Sequence, residues 1–294
     1  MSRILVGGKS EQLAPLLSRI RTAAGLSRVA VGRPQLDLEN PGTVESVVRA
    51  VEPSAIINAA AYTAVDQAES EPERAFTVNR DGAEQLASEA QRRAVPFIHI
   101  STDYVFDGRK PSRYTEEIPR IRPTCMGARS SRHAYAAALV LRTSWLYSGH
   151  GHNFLTTMLR VAHKQDAVRV VDNQHGAPTA ADEIAEAILA MLRIFLVDGF
   201  ESTAGIYHLT AQGETTWHGF STAIFAGCAR RGCKVPKLVA ISSAEYPTAA
   251  VRPINSRLDC SKIERQFGLR LPPWQQSIDS CLDRLSIQAE PEAC

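Results

Sequence analysis

Ile4-Leu5-Val6-Gly7-Gly8-Lys9-Ser10-Glu11-Gln12-Leu13-Ala14 reads as an apolar strand, a glycine turn and the start of a helix. That order is the opening of a dinucleotide-binding fold. A helix N-terminus offers free N–H groups and positive dipole to a pyrophosphate, and glycines let the backbone come close. Gly8, Glu11, Gln12 and Leu13 are the residues this places against a cofactor. The Gly-x-x-Gly-x-x-Gly/Ala spacing is incomplete, because Glu11 stands where the middle glycine belongs while Ala14 fits the last position. A carboxylate there opposes phosphate and should weaken cofactor binding. A plain structural turn is the competing reading.

Working outward, apolar runs alternate with amphipathic stretches, the pattern of a parallel sheet covered by helices. Strands are expected at Arg3 to Val6, Arg28 to Val31, Ala55 to Asn58, Val95 to Ser101, Leu139 to Thr143 and, as the sixth, Val168 to Val171. Helical segments are expected at Gln12 to Ala24, after Asn40-Pro41 as far as Val51, and within Glu71 to Arg93. Asn40 supplies the cap and Pro41 a favoured first helical residue. After Asp172 the rhythm changes to loops rich in Gly, Pro and Thr, with a late strand near Ile206 to Leu209 and a tail from Gln288 expected to fray. The fold class implied is α/β, a Rossmann-type doubly wound parallel sheet with a smaller C-terminal substrate-binding lobe. Residues 1–147 would form mainly the NAD(P)-binding core, and 148–294 the last core strand and the lobe, interleaved with the core.

The 294 residues are 44% hydrophobic and 22% charged with a net charge of +2, which gives no reason to expect nucleic acid or membrane as partner. No run approaches the roughly 20 apolar residues of a membrane span, and the N-terminus does not resemble a signal peptide. The six cysteines are scattered, and Cys228 and Cys233 lack zinc-knuckle spacing. Idle thiols in a reducing cytoplasm are expected.

Beyond the second strand, Gly32 occupies the place of the acid that would hold an NAD ribose, and Arg33 follows, suited to the 2′-phosphate of NADP. A solvated surface arginine is the alternative. Asp37 and Leu38 could flank the adenine. Small residues after the third strand would let a cofactor lie on the backbone.

Five strings then occur in order: NAAAYTAVDQAESEP (58–72), STDYVFDG (101–108), RTSWLY (142–147), DNQHGAPT (172–179) and RPINSRLD (252–259). Together they resemble the dTDP-4-dehydrorhamnose reductase family of extended short-chain dehydrogenases, over nearly the whole chain. The resemblance implies that Thr102 and Asp103 touch the sugar at the catalytic centre and that Trp145 packs on the substrate. Ala61, Tyr62, Thr63 and Ile100 would line the cofactor, NADPH in preference to NADH. The implied reaction is hydride transfer to C4 of a 4-keto sugar nucleotide, for dTDP-rhamnose and polysaccharide synthesis. A cap on the next turn is the other reading of Thr102 and Asp103. The resemblance also suggests a homodimer and leaves room for a Mg2+ ion without naming its ligands. A non-catalytic nucleotide-binding regulatory subunit and an NAD-dependent sugar epimerase or dehydratase are the alternatives, and the RTSW and GAPT strings favour the reductase.

One family feature is missing. The pattern Asn-Val-Tyr-Gly-x-x-Lys supplies a tyrosine acid and a lysine that lowers its pKa from about 10. Here the corresponding stretch, Arg122 to Arg132, has no Tyr before Gly127 and no Lys after it, and Tyr135 is followed four residues on by Leu139. The loss of a positioned acid lowers a rate roughly 10²–10⁴-fold, so the chain as written is expected to be a poor reductase. Asp103 could substitute only if burial raised its pKa strongly.

Codon degeneracy offers a cause. Read two bases out of phase, the residues from Arg120 to Ser131 permit Asn-Pro-x-Asn-Val-Tyr-Gly-x-x-Lys-Leu-Ala, with Met126-Gly127 forcing the Gly. A frameshift near Arg120, compensated before Leu139, is the resulting hypothesis; a diverged homologue without the tyrosine is the alternative. The nucleotide sequence decides: its shifted frame should spell Tyr-Gly-x-x-Lys, and a stop or an unrelated run there ends the idea.

Overall fold

Parallel strands buried on both faces must be apolar on both, and the first strands here are. In the computed structural model, which describes residues 2–19, 26–119 and 135–288, β1 (Ser2–Gly7) and β3 (Ala55–Asn58) end in runs with no exposed residue. The stretch lacking the Tyr and Lys, from Arg120 to residue 134, lies outside the described residues. So do the far end of the helix expected to reach Ala24 and the tail after Gln288.

Six parallel strands form one sheet: β2 (Leu26–Val31), β1, β3, β4 (Phe97–Thr102), β5 (Leu139–Thr143) and β10 (Gly205–His208), in that spatial order. The chain leaves β1 toward β2 and returns to β3 on its other side, which creates the switch point where α/β folds bind ligands. Alternate residues feed the two faces. Ile4, Val6, Ile57 and Ile98 pack with Leu13 and Leu17 of α1 (Leu13–Arg19) and with Ile184, Ile188 and Leu192 of α7 (Ala181–Asp198). Leu5, Ile56 and Phe97 pack on the opposite face with Val44 and Val48 of α2 (Pro41–Val51) and Leu86 and Ala90 of α5 (Ala83–Arg92). Each of the larger side chains contributes about 1.5–3 kcal/mol by leaving water.

Local signals act as expected at α2, where Asn40 accepts a hydrogen bond from the Gly42 N–H and Pro41 opens the helix. Between Glu71 and Arg93 the chain forms α3's successor α4 (Pro72–Phe76), a π-helical turn (Thr77–Gly82) and α5, α3 itself being Val65–Ala68. The turn passes Leu38 at Gly82, where a Cβ would lie 2.5 Å from the Leu38 Cβ.

The sixth strand is the correction. Val168 to Val171 lies in β7 (Ala167–Val171), which pairs with β12 (Lys237–Ile241) outside the main sheet; the place beside β5 belongs to β10. The reason is burial. Ala167 and Arg169 are exposed while Val168 and Val170 are buried, so β7 has one wet face, whereas all of β5 is buried.

The remaining elements form the lobe. β6 (Leu146–Tyr147) pairs with β9 (Thr179–Ala180), and β8 (His175–Gly176) with β11 (Thr215–Thr216). Tyr147 and Val170 share a second core with Leu155 of α6 (Phe154–Ala162), Phe220 of α8 (Trp217–Arg230) and Ile278 of α10 (Trp274–Gln288). α9 (Ser261–Phe267) adds Ile263 to the sheet-side core. Among the described residues no helix is long and apolar enough to cross a membrane.

The lobe is stitched to the core at Gly108, which has φ +73° and would place a Cβ 2.4 Å from that of Pro253. The Asn255 N–H donates to the Gly108 carbonyl at 3.1 Å. Gly108→Ala should therefore lower stability by about 1–3 kcal/mol, from left-handed strain and overlap. An unchanged urea midpoint would show that this contact bears no load.

Candidate active site

The parallel register brings the carboxyl ends of the strands to one edge of the sheet, at two levels. Gly7 faces Asn58, Asn58 faces His99, and Thr102 faces Thr143. Just past β1, Gly8 has φ +97° and sits so close to the next loop that a Cβ would be 2.8 Å from the Ala60 N. Gly8 with Ala59, Ala60 and Ala61 thus leaves a shallow backbone floor, the cradle a dinucleotide needs.

Polar side chains at these ends are dry. The Asn58 amide pairs with His99 Nδ1 at 3.2 Å and accepts from the Ala60 N–H at 3.1 Å. Burial pushes the His99 imidazole down to about 4, so it is neutral at physiological pH. On the next loop, Asn79 accepts from the Tyr62 N–H at 2.8 Å and donates to the Tyr62 carbonyl at 3.2 Å. Its place in the π-helical turn fits the tendency of such turns to occur at functional sites.

Thr102 does cap the turn after β4: its hydroxyl accepts from the Tyr104 N–H at 3.3 Å. It also donates to Asp103 Oδ1 at 3.1 Å. Asp103 is only 3% exposed, and its Oδ2 has no hydrogen-bond partner among the described residues. Burial raises this carboxyl to about 6, with the Ser256 and Thr102 hydroxyls pulling back. Thr143 and Ser144, at the end of β5, likewise keep buried hydroxyls without a partner among the described residues.

The lobe supplies the facing wall. Trp145 adopts φ +50°, unusual for a bulky residue, and stacks on Trp217 with ring centroids 3.6 Å apart. Gly176 makes the space, since a Cβ there would sit 2.4 Å from Trp145 Cε2. Across the opening, Arg252 donates to Asp66 Oδ2 at 3.0 Å, and Asp66 Oδ1 accepts from the Ala250 N–H at 3.1 Å.

These walls enclose a cavity of about 1350 Å³, above the roughly 300–1,000 Å³ of a site for one small ligand. Of the expected residues, Glu11, Gln12, Leu13, Ala61, Thr63, Ile100, Thr102, Asp103 and Trp145 line it. Gly8 serves from the turn behind the floor, and Tyr62 lies outside the lining, its hydroxyl donating to Glu71 at 3.2 Å. Arg33, Asp37 and Leu38 do not line it either. Leu38 is a core residue at 4% exposure, and Arg33 donates to Asp37 at 3.1 Å and pairs with Glu39. Glu39 in turn accepts from Arg74 at 3.0 Å. Burial raises the Glu11 carboxyl above its ordinary range. Asn58, His99, Thr143, Ser144, Asp66, Arg252 and Trp217 were not singled out from sequence. No group of three or more His, Cys, Asp or Glu side chains that could hold a metal ion occurs among the described residues.

Comparison with known proteins agrees with this architecture. The family model described as RmlD substrate binding domain matches residues 1–287. The dTDP-4-dehydrorhamnose reductase of Sinorhizobium fredii is 45% identical, over 94% of this chain and 95% of that one. The crystal structure of the dTDP-4-dehydrorhamnose reductase of Clostridium acetobutylicum superposes with a TM-score of 0.88 at 28% identity, covering 97% of this chain and 99% of that one. That of Bacillus anthracis, in complex with NADP, gives 0.86 at 29% identity with the same coverage.

The raised Asp103 carboxyl has a stability consequence. Because its folded pKa of about 6 exceeds the ordinary 3.8, the group favours folding below about pH 4 and loses that contribution as pH rises through 6. The shift corresponds to about 3 kcal/mol. Relative to the wild type, Asp103→Asn should gain up to that amount between about pH 4 and about pH 7 in denaturant titrations. A difference that stays constant with pH would mean Asp103 is not desolvated.

Proposed function

Since the chain belongs to the RmlD substrate-binding-domain family, that of the dTDP-4-dehydrorhamnose reductases, we infer that it reduces the C4 ketone of dTDP-4-dehydro-6-deoxy-L-mannose to give dTDP-L-rhamnose. The observation that carries this reading is the meeting of Thr102, Asp103 and Trp145 in one large cavity at the carboxyl end of the sheet. NADPH supplies the hydride when bound. Gly8 and the alanines after β3 would hold it, with Ala61, Thr63 and Ile100 lining the same cavity. The neutral Asn58–His99 pair closes the floor without adding charge there.

Thr102 and Asp103 hold the sugar at the reacting carbon, and Trp145, backed by Trp217, covers it and excludes water. The Asp66–Arg252 pair ties the lobe segment at 250–252 to the loop after β3, so the wall over the sugar stays in place. Arg33 remains the residue proposed for the 2′-phosphate: it is half exposed, and a phosphate would replace Glu39 as its partner. A homodimer and a cytoplasmic setting belong to the same reading.

Two measurements test it. NADPH oxidation should depend on the 4-keto sugar nucleotide and yield dTDP-rhamnose by mass spectrometry. In fluorescence titrations NADPH should bind more tightly than NADH, and Arg33→Ala should reduce that preference about tenfold, or 1.4 kcal/mol. Tighter binding of NADH to the wild type would remove Arg33 from this role.

A further inference from the structure

Reduction of a ketone leaves negative charge on its oxygen, which must receive a proton. None of the seven tyrosines has a lysine four residues on: the residues at that distance are Asp66, Gly108, Ile118, Leu139, Gly151, Ala211 and Ala250. The geometry points to Asp103 as the proton donor to the C4 oxygen of the sugar. This rests on the reductase reading given above.

Among the described residues the other dissociable groups of the cavity serve poorly, and one of them, His152, stands exposed to solvent. His99 is uncharged, its Nδ1 engaged by Asn58, and burial holds it down at about 4. Tyr104 is driven up to about 12, first by burial and then by the Asp103 charge. Tyr246 is 54% exposed at the rim. Asp66 is paired with Arg252, and Arg169 with Glu245, so these charges are neutralised in pairs. Glu11 stands at the β1 turn, the dinucleotide end of the cavity.

Asp103 differs in both its oxygens. Oδ1 is fixed by the Thr102 hydroxyl, while Oδ2 is buried with no partner among the described residues. A buried carboxylate oxygen without a partner is costly, whereas a neutral carboxyl carries its proton on that oxygen and needs only an acceptor. In the step, the hydride adds to C4 with its electron pair, the C=O π pair moves to oxygen, and that oxygen takes the proton from Oδ2. Asp103 is left as carboxylate and regains a proton from water after product leaves. Burial places its pKa at about 6, near the optimum for acid catalysis at neutral pH.

The test has two arms. In infrared difference spectra a carboxyl that loses its proton near pH 6 should be present in the wild type and missing from Asp103→Asn, which separates it from Glu183, a carboxyl that burial also raises to about 6. In rate measurements, kcat should fall about tenfold per unit above that pH in the wild type. Asp103→Asn should lose about 10²–10⁴-fold and the pH limb, with NADPH affinity unchanged within about threefold. A titration at or below about pH 4.5 overturns the proposal without recourse to any variant. So does an Asp103→Asn rate within about threefold of wild type. If the wild type fails to turn over even at about pH 5, the proposal also falls. Calorimetry then separates the two levels: retained binding of the 4-keto sugar nucleotide leaves the reductase reading standing, and absent binding removes both.

Discussion

A parallel sheet covered by helices on both faces has no wet side, and its strands meet solvent only at their ends. Here β1 and β3 stop together at Gly7 and Asn58, level with His99, and β4 and β5 run on to stop together at Thr102 and Thr143, so the polar side chains placed at these ends are desolvated. Each has two ways to meet that cost. Asn58 and His99 pair with one another, and between β5 and β10 Arg142 donates to His208 Nε2 at 3.3 Å. Asp103 Oδ2 and the hydroxyls of Thr143 and Ser144 find no partner among the described residues. Unsatisfied buried groups cost about 1–3 kcal/mol each, and they persist where a ligand completes them.

The lobe depends on the same strand ends. Its pieces come from distant parts of the chain: the loop after β5, the turn around Gly176, the start of α8 and the segment from Ala250 to Pro253. Close approaches at glycine hold them, with Gly176 under Trp145 and Gly108 under Pro253. Asp66 and Arg252 join the lobe directly to the loop after β3. A wall built from four separate segments can be reshaped segment by segment without disturbing the sheet beneath it.

Much of this was legible in the residues. The apolar runs located the first five strands to within two residues, and Asn40-Pro41 marked the start of α2. Thr102 and Asp103 were identifiable because a hydroxyl and a carboxylate follow a buried strand. The alternation in Val168 to Val171 resembled a core strand, since sequence cannot say whether the second face of a valine-rich strand is covered; Arg169 was the only hint that it is not. Trp217 lies 72 positions from Trp145 and carries no local signal of their stacking. Arg33 looked available to a phosphate because its partners Asp37 and Glu39 become neighbours only once the loop has folded. The pKa of Asp103 belongs to the same class: a carboxyl reads as ordinary until its burial is known.

The stacked indoles carry an optical consequence. Two of the three tryptophans, Trp145 and Trp217, lie face to face in the cavity wall, while Trp274 is buried edge-on against Phe220 with centroids 6.2 Å apart. Chromophores that close exchange excitation, so their near-ultraviolet circular dichroism is that of a coupled dimer, superimposed on one isolated indole. Any molecule that parts or tilts the pair alters that spectrum, and the protein thereby carries an intrinsic gauge of what occupies its sugar-facing wall.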